Sequence, residues 1–389
     1  MIPIVYNLRS LTVRKATAVA TAFGLALVVF VFASAMMLAN GVKKTLVRAG
    51  ADDVAIVLRK GAESELQSNV DEPKTSIVRA APQIARGQGG KPLSVQEIVV
   101  VILLDKNGTA GFSNVQVRGV EEDVWGFRTT AQISEGRRAK PGTDEVVIGR
   151  ALKDRFKGLN VGGSFELRKN RQVHVVGVFS DQGAATESEI WADLETVRAA
   201  FGREGLVSSM RLKLQSAAAF DALRTDLEGN RQLDLGVQRE SAFYEKQSEG
   251  TSTLVTVLGM IVAIFAAVGA AIGATVTMYS AVANRQREIG TLRALGFGAG
   301  SIVFAFLLES VILAALGGAL GSLAAMCMTF VHFAVMNYAS WSEVVFSFEP
   351  TAPIVLSALG FATTIGVLGG LFPAIRAARV RPLDALRSA

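Results

Sequence analysis

Four stretches of this 389-residue chain run without a charged side chain, at 16–42, 250–284, 310–342 and 350–375, with lengths of 27, 35, 33 and 26 residues. A helix rises 1.5 Å per residue, so about 20 apolar residues cross a hydrocarbon layer of roughly 30 Å. In lipid only a helix or a closed barrel satisfies its own backbone. Every gap is long enough. Buried helices of soluble proteins seldom run beyond about 25 residues without a charged face, so the pattern predicts four membrane spans. The first gap follows Arg14 and Lys15 and contains Ala33-Ser34-Ala35, a sequence of the kind a signal peptidase cleaves. Its apolar run continues through Met36, Met37 and Leu38, which makes a retained span the expectation.

Short cytoplasmic loops collect Lys and Arg. Arg9, Arg14 and Lys15 precede the first gap, Arg285, Arg287 and Arg293 follow the second, and Arg376, Arg379, Arg381 and Arg387 end the chain. Between the third and fourth gaps stand only Glu343 and Glu349. Both termini and the segment after residue 284 are therefore expected in the cytoplasm. The expected organisation is an N-terminal tail with a first transmembrane helix over 1–42, an outer domain over 43–249, and helices two to four with a cytoplasmic tail over 250–389. The outer stretch carries 30 of the 40 basic and 29 of the 34 acidic side chains, a formal balance of +1 out of the chain's +6. The net charge is thus a topology signal, which removes the main support for a nucleic-acid partner.

Roughly 200 residues suffice for a packed core, and the single Cys327 rules out internal disulfides. Strand patterns occupy 98–104, 172–179 and 209–214, the last with Met210, Leu212 and Leu214 alternating with Arg211 and Lys213. Helical patterns occupy 150–157, stopped by Gly158, and 217–227. Residues 63–92, rich in Ser, Gly, Gln and Pro, read as a loop. The expectation is α+β with more than one subdomain. No HExxH, GxSxG or cysteine marks chemistry there. His174 sits in an alternating strand as a packed or solvent-facing side chain, and Glu121-Glu122-Asp123 lacks the spacing of a calcium loop. The outer domain reads as a binding or force-transmitting body, with no catalytic residue and no metal ligand.

Between the second and third gaps stands NRQREIGTLRALG, where Ile289, Leu292, Leu295 and Gly296 form one stripe and Arg285, Glu288 and Arg293 supply polar handles. A short amphipathic helix is expected there, either lying at the lipid interface or docked in a groove on a cytoplasmic partner. Gly269 and Gly273, Gly317 and Gly321, and Gly366 and Gly370 each give a G-x-x-x-G, which lets helices approach closely in lipid. Glu309 reads as a structural carboxylate at the entrance of the third span, paired with an arginine or capping, and His332 as interfacial near its far end.

The run NRQREIGTLRALGFGAGSIVFAFLLESVILAALGGALG resembles the permease domain shared by FtsX-like and MacB-like ABC transporters. FPAIRAARVRPLDALR, with Pro373, Arg376, Ala377, Ala378, Pro382 and Leu386, resembles that family's ending, NLRSLTVRK is compatible with its start, and VVIGRALKDRFKGLNVGGSFELRKNRQVHVVGVFS resembles the MacB-type periplasmic domain. The resemblance implies a multi-pass bacterial inner-membrane permease of the type VII class: four transmembrane helices, with a large α+β periplasmic domain inserted between helices 1 and 2. It implies a second permease protomer, membrane lipids around it, and a cytoplasmic ABC ATPase beneath each protomer. The chain contains no GxxxxGK[ST] loop, so ATP and Mg are expected on that partner, with no cofactor on this chain. ATP-driven closure of the ATPases would then reach the periplasmic domains mechanically. The implied coupling surface is Arg285, Arg287, Glu288, Ile289, Gly290, Leu292, Arg293 and Leu295, with Asn284 standing where relatives often carry a charge. The family accommodates export of a periplasmic or membrane-derived substrate with a periplasmic membrane-fusion adaptor, extraction of lipoproteins, or signalling to a cell-wall hydrolase without transport.

Overall fold

A computed structural model describes residues 15–380. Along the chain come α1 (Lys15–Val47), β1 (Val54–Arg59), β2 (Val70–Asp71), α2 (Glu72–Arg79), β3 (Ser94–Asp105), β4 (Phe112–Val120) and α3 (Val124–Phe127). Then follow β5 (Gln132–Gly136), β6 (Glu145–Gly149), β7 (Ser164–Arg168), β8 (Arg171–Ser180), β9 (Glu189–Asp193), α4 (Leu194–Phe201), β10 (Leu206–Val207), β11 (Ser209–Lys213), α5 (Phe220–Gly229) and β12 (Leu235–Arg239). The remainder is α6 (Glu240–Asn284), α7 (Gln286–Ala294), α8 (Ala299–Met326), β13 (His332–Asn337), β14 (Ser342–Ser347) and α9 (Ala352–Ala378). Arg9, Arg14, Arg381, Pro382, Leu386 and Arg387, named above from the sequence, lie outside the described residues.

The helices α1, α6, α8 and α9 are long and apolar enough to cross a membrane. They make up most of one compact unit, comprising the chain up to Asn40, residues 253–331 and the chain from Phe348 on. The other unit comprises 41–252 and 332–347.

That second unit is built on a mixed sheet in the order β12-β1-β11-β3-β4-β9-β6-β8-β5, with β7 pairing on β8. β4–β9 and β6–β8 run parallel and the other neighbours antiparallel. Alternation along the strands places Val100, Val115, Val117, Ile148, Val175 and Ile190 in one apolar core. A second core gathers Ala55, Val57, Met210, Leu212, Leu223 and Val237 under α2 and α5. One continuous sheet thus carries two cores. The strands expected at 98–104, 172–179 and 209–214 lie in β3, β8 and β11, and the helix expected at 217–227 begins as a 3-10 turn and continues as α5.

Three expectations are corrected. Residues 63–92 hold β2 and α2 as well as turns, because Pro73 suits the first helical turn and Val78 finds a place in the second core. Residues 150–157 form only a 3-10 turn at Arg150–Leu152, since Leu152, Phe156 and Leu159 are all drawn into the first core. The third uncharged gap is not one helix. α8 starts at Ala299, eleven residues before the gap, and ends at Met326, with a 3-10 turn to Phe330. Beyond it HFAVMN pairs with SEVVFS as the antiparallel β13–β14 hairpin. Absence of charge reports burial or lipid contact, and the β-branched and aromatic residues of this stretch decide for strand.

Candidate functional site

The charged segment after α6 forms an elbow. Arg285 leaves helical geometry (φ −115°, ψ 15°) and α7 begins at the next residue. At the other end Gly296 takes φ 94°, a left-handed conformation that a side chain would strain. Ile289 holds α7 inward: it packs with Met278 and Val282 of α6, Ile302 and Phe306 of α8, and Ala374 and Ala377 of α9. The Arg285 side chain turns the same way, and only 6 % of it is exposed. Its Nη1 donates to Glu309 Oε2 at 2.9 Å, its Nε donates to Glu288 Oε2 at 2.9 Å, and its guanidinium lies 5.1 Å from the Phe306 ring centre. Glu309 stands ten residues into α8, about 15 Å from its start, so it lies inside the helix and not at its entrance.

The eight residues named as a coupling surface therefore divide. Arg285, Ile289 and Gly290 are buried, Leu292 and Arg293 are half-buried, and Arg287, Glu288 and Leu295 are exposed. The inner three fix the elbow. The outer five present a surface.

The glycine pairs divide too. A Cβ on Gly317 would stand 2.7 Å from the Ala22 carbonyl oxygen, and one on Gly321 2.3 Å from that of Ala26, so α8 and α1 touch through their backbones. Cβ atoms on Gly366 and Gly370 would meet Ala314 at 2.5 Å and Ser310 at 2.6 Å, and Ser310 Oγ donates to the Gly366 carbonyl at 2.6 Å. Among the described residues, a Cβ on Gly269 or Gly273 would meet nothing within 4 Å, so neither glycine is at a close helix contact there. Gly318 and Gly369, which the G-x-x-x-G spacing did not single out, pack against Ala362 and Ala274. Gly321→Val is expected to destabilise the helical unit by about 2 kcal/mol through overpacking, measured as a lowered thermal midpoint in detergent. An unchanged midpoint would contradict this α8–α1 approach.

The first residues of α6 are rooted in the α+β unit. Glu240 accepts from Arg211 Nε at 2.7 Å, from Arg128 Nη2 at 2.9 Å and from the Ala51 N–H at 3.2 Å. Arg211 also meets Glu65 at 3.0 Å, Glu97, and Tyr244 Oη at 3.2 Å. Arg118 binds Glu189 at 2.7 Å, Glu65 at 2.9 Å and Glu97 at 2.5 Å. All are buried. The register explains the gathering: Ser209 faces Glu97, Val99 faces Arg118 and Gln116 faces Glu189 across β11, β3, β4 and β9, which puts these side chains on one face of the sheet. The sequence placed Glu65 in a stretch read as a loop and showed in β11 only the alternation of Met210, Leu212 and Leu214 with Arg211 and Lys213.

The β13–β14 hairpin belongs to the same unit and is held by polar contacts. Glu343 pairs with Lys106 at 2.6 Å and with Arg155, Asn114 Nδ2 donates to the Trp341 carbonyl at 2.9 Å, and the Val345 N–H donates to Ser188 Oγ at 3.1 Å. Burial opposes ionisation of Glu343, but Lys106, the Ser113 hydroxyl and Arg155 outweigh it and hold its pKa below the ordinary carboxylate value. His332 opens β13, exposed, with Nδ1 3.2 Å from Ser347 Oγ.

Residues 18–230 match the family model of the MacB-like periplasmic core domain, and 260–382 match that of the FtsX-like permease C-terminal region. Among curated relatives, the macrolide export ATP-binding/permease protein MacB of Neisseria gonorrhoeae is 25% identical over 366 residues, covering 85% of this chain and 55% of the relative. The chain thus spans about half the length of such relatives. An uncharacterized ABC transporter permease, YvrN of Bacillus subtilis, is 38% identical over 112 residues, 28% of this chain and 25% of its own. Among solved structures, the periplasmic region of MacB from Actinobacillus actinomycetemcomitans aligns at 15% identity over 51% of this chain and 94% of that one, with a TM-score of 0.39. The first family match alone takes in more than half of the residues, and with the FtsX-like match after it the chain belongs to the MacB-like, FtsX-domain family of ABC transporter permeases.

Proposed function

We propose that this chain is the membrane-spanning subunit of a type VII ABC system in a bacterial inner membrane, driven by an ATPase docked on α7 and exporting a periplasmic or membrane-derived substrate. α1, α6, α8 and α9 are its four spans, the unit built on the mixed sheet is periplasmic, and both termini and α7 are cytoplasmic. The observation that carries this reading is the elbow. Its inner face is fixed by Ile289 and by the Arg285–Glu309 pair, so a push on the outer residues is passed to α6 instead of being absorbed by local rotation. α6 is one helix of 45 residues, about 68 Å long, with Glu240 set in the ionic cluster at its first residue. On this reading α6 is the element that carries movement at α7 towards Glu240.

ATP and Mg belong to the partner in this reading, and the chain itself performs no chemistry. A second protomer has a place to pack: Gly269 and Gly273 are open, and Phe265, Val268, Ile272 and Val276 on the same helix are exposed. Membrane lipids cover what the second protomer leaves, and a membrane-fusion adaptor completes the export route.

The test uses charge and polarity changes on the outer face of α7. Glu288→Arg and Leu292→Asp are expected to abolish stimulation of the partner's ATP turnover while membrane insertion is unchanged. The measurement is ATPase activity of the co-purified complex in nanodiscs. Wild-type ATPase binding and stimulation in both variants would refute docking at α7.

A further inference from the structure

The stretch that sequence reading expected as a helix over 150–157 has a different use. After its 3-10 turn, Lys153 is extended (φ −54°, ψ 133°) and Asp154 is left-handed (φ 59°). Its main chain bonds to the β3–β4 turn: the Asn107 N–H donates to the Arg155 carbonyl at 2.8 Å, and the Lys157 N–H donates to that of Asp105 at 2.9 Å. On a helix Arg155 would stand about 140° round from Arg150. Here Arg150, Lys153 and Arg155 line one cavity of about 860 Å³ within the α+β unit, inside the range of roughly 300–1,000 Å³ typical of ligand sites.

The cavity's charge is lopsided. Among the described residues its one lining carboxylate is Glu187, and that oxygen already accepts from the N–H groups of Asp181 at 2.7 Å and Gly183 at 2.9 Å. Lys153 pairs with Glu135 at 2.6 Å and Arg155 with Glu343, whereas Arg150 makes no ion pair among the described residues. Arg155, with about a third of its side chain exposed, also lines the cavity. Gln132 and Ser180, paired across β5 and β8, line the same space and add neutral donors.

We propose that this cavity binds a phosphate-bearing anion, held by Arg150, Lys153 and Arg155. Guanidinium forks match the geometry of phosphate oxygens, and an ammonium adds a point charge. The volume exceeds what a lone phosphate fills, and Ala151, Ala184 and Val345 give it apolar wall. His332 and Ser347 also line it. That size and wall suit the headgroup of a phospholipid, and a free phosphate ester shares the chemistry. The site goes beyond the coupling reading and does not rest on it.

Delipidated full chain in maltoside detergent, titrated with phosphatidylglycerol and followed by native mass spectrometry, tests the proposal. The expected result is retention of phosphatidylglycerol, weakened about tenfold or more in R150E/K153E and about threefold in the milder R150Q. Lys157→Glu, at an exposed pair with Asp105 outside the cavity, is expected to stay within about twofold of wild type. Displacement by millimolar glycerol phosphate would support a site reading phosphate alone, and retention in its presence would support a lipid headgroup. Wild-type affinity in both R150E/K153E and R150Q, or equal retention of uncharged diacylglycerol, would overturn it.

Discussion

Replacing Arg118 with alanine is expected to destabilise the α+β unit by about 3–5 kcal/mol, the cost of leaving buried partners of an ion pair uncompensated. Glu65, Glu97 and Glu189 all meet that one guanidinium, and none has more than 9% of its side chain exposed. Against a whole-domain stability of about 5–15 kcal/mol, this is the largest single-residue effect expected in the unit. Trp191 reports it directly, because its Nε1 donates to Glu189 Oε2 at 3.0 Å. Urea unfolding of the full chain followed by tryptophan fluorescence is the measurement. A shift below about 1 kcal/mol would contradict the network. Converting Glu65 and Glu189 to glutamine in the Arg118→Ala background is expected to recover part of the loss, since the stranded charges are then gone.

The pH dependence has a definite sign. Burial alone would raise the Glu65 pKa. The charges of Arg118 and Arg211, with hydrogen bonds from Arg118 and Ser209, more than reverse that and hold it well below its ordinary value of 4.5. A carboxyl whose pKa falls on folding adds stability that is complete above its unfolded pKa and fades as pH drops towards the folded one. The wild type therefore keeps this contribution above about pH 4.5 and loses it in stronger acid. The Arg118→Ala variant has less to lose, so its deficit against wild type is expected to narrow as pH falls through about 4.5.

The second large effect is expected at the elbow. Glu309→Ala removes the carboxylate that Arg285 Nη1 reaches at 2.9 Å, where both side chains are at most 7% exposed. With a loss of about 3 kcal/mol, hydrogen exchange of the α7 amides is expected to quicken about a hundredfold. On the proposed coupling, stimulation of a partner ATPase is expected to fall with it, because a loosened elbow would no longer pass movement to α6. The exchanged pair, Arg285→Glu with Glu309→Arg, is expected to restore much of the protection. Unchanged exchange in Glu309→Ala would show that Ile289 and its neighbours hold α7 without the ion pair.

The four long apolar helices and the family were legible because their signals are local: long uncharged runs, and a charged segment whose residues keep a helical spacing. β3, β8 and β11 were legible for the same reason. What escaped depends on contacts between distant strands. Met210 and Leu212 alternating with Arg211 and Lys213 imply one wet face, and only the arrival of Glu65, Glu97 and Glu240 makes the Arg211 face dry. Arg285 was placed with the outward residues because a helical stripe says which residues share a side. It does not say that a break at one residue will turn that side chain towards Glu309. β13 was hidden inside an uncharged run whose length suited a span, and its partner β14 lay just past the end of that run, with strand character in Val344, Val345 and Phe346.

The hairpin's place in the α+β unit has a consequence for biosynthesis. β14 leaves the ribosome 95 residues after Ser252, a delay of roughly 5–20 s at about 5–20 residues per second. Through that interval Lys106 and Arg155 wait for Glu343, and the sheet must survive as an unfinished body while α8 is still being made. A fragment cut at Ser252 would freeze the nascent chain at that stage, so the unit can be completed only once α8 and then β14 have been made.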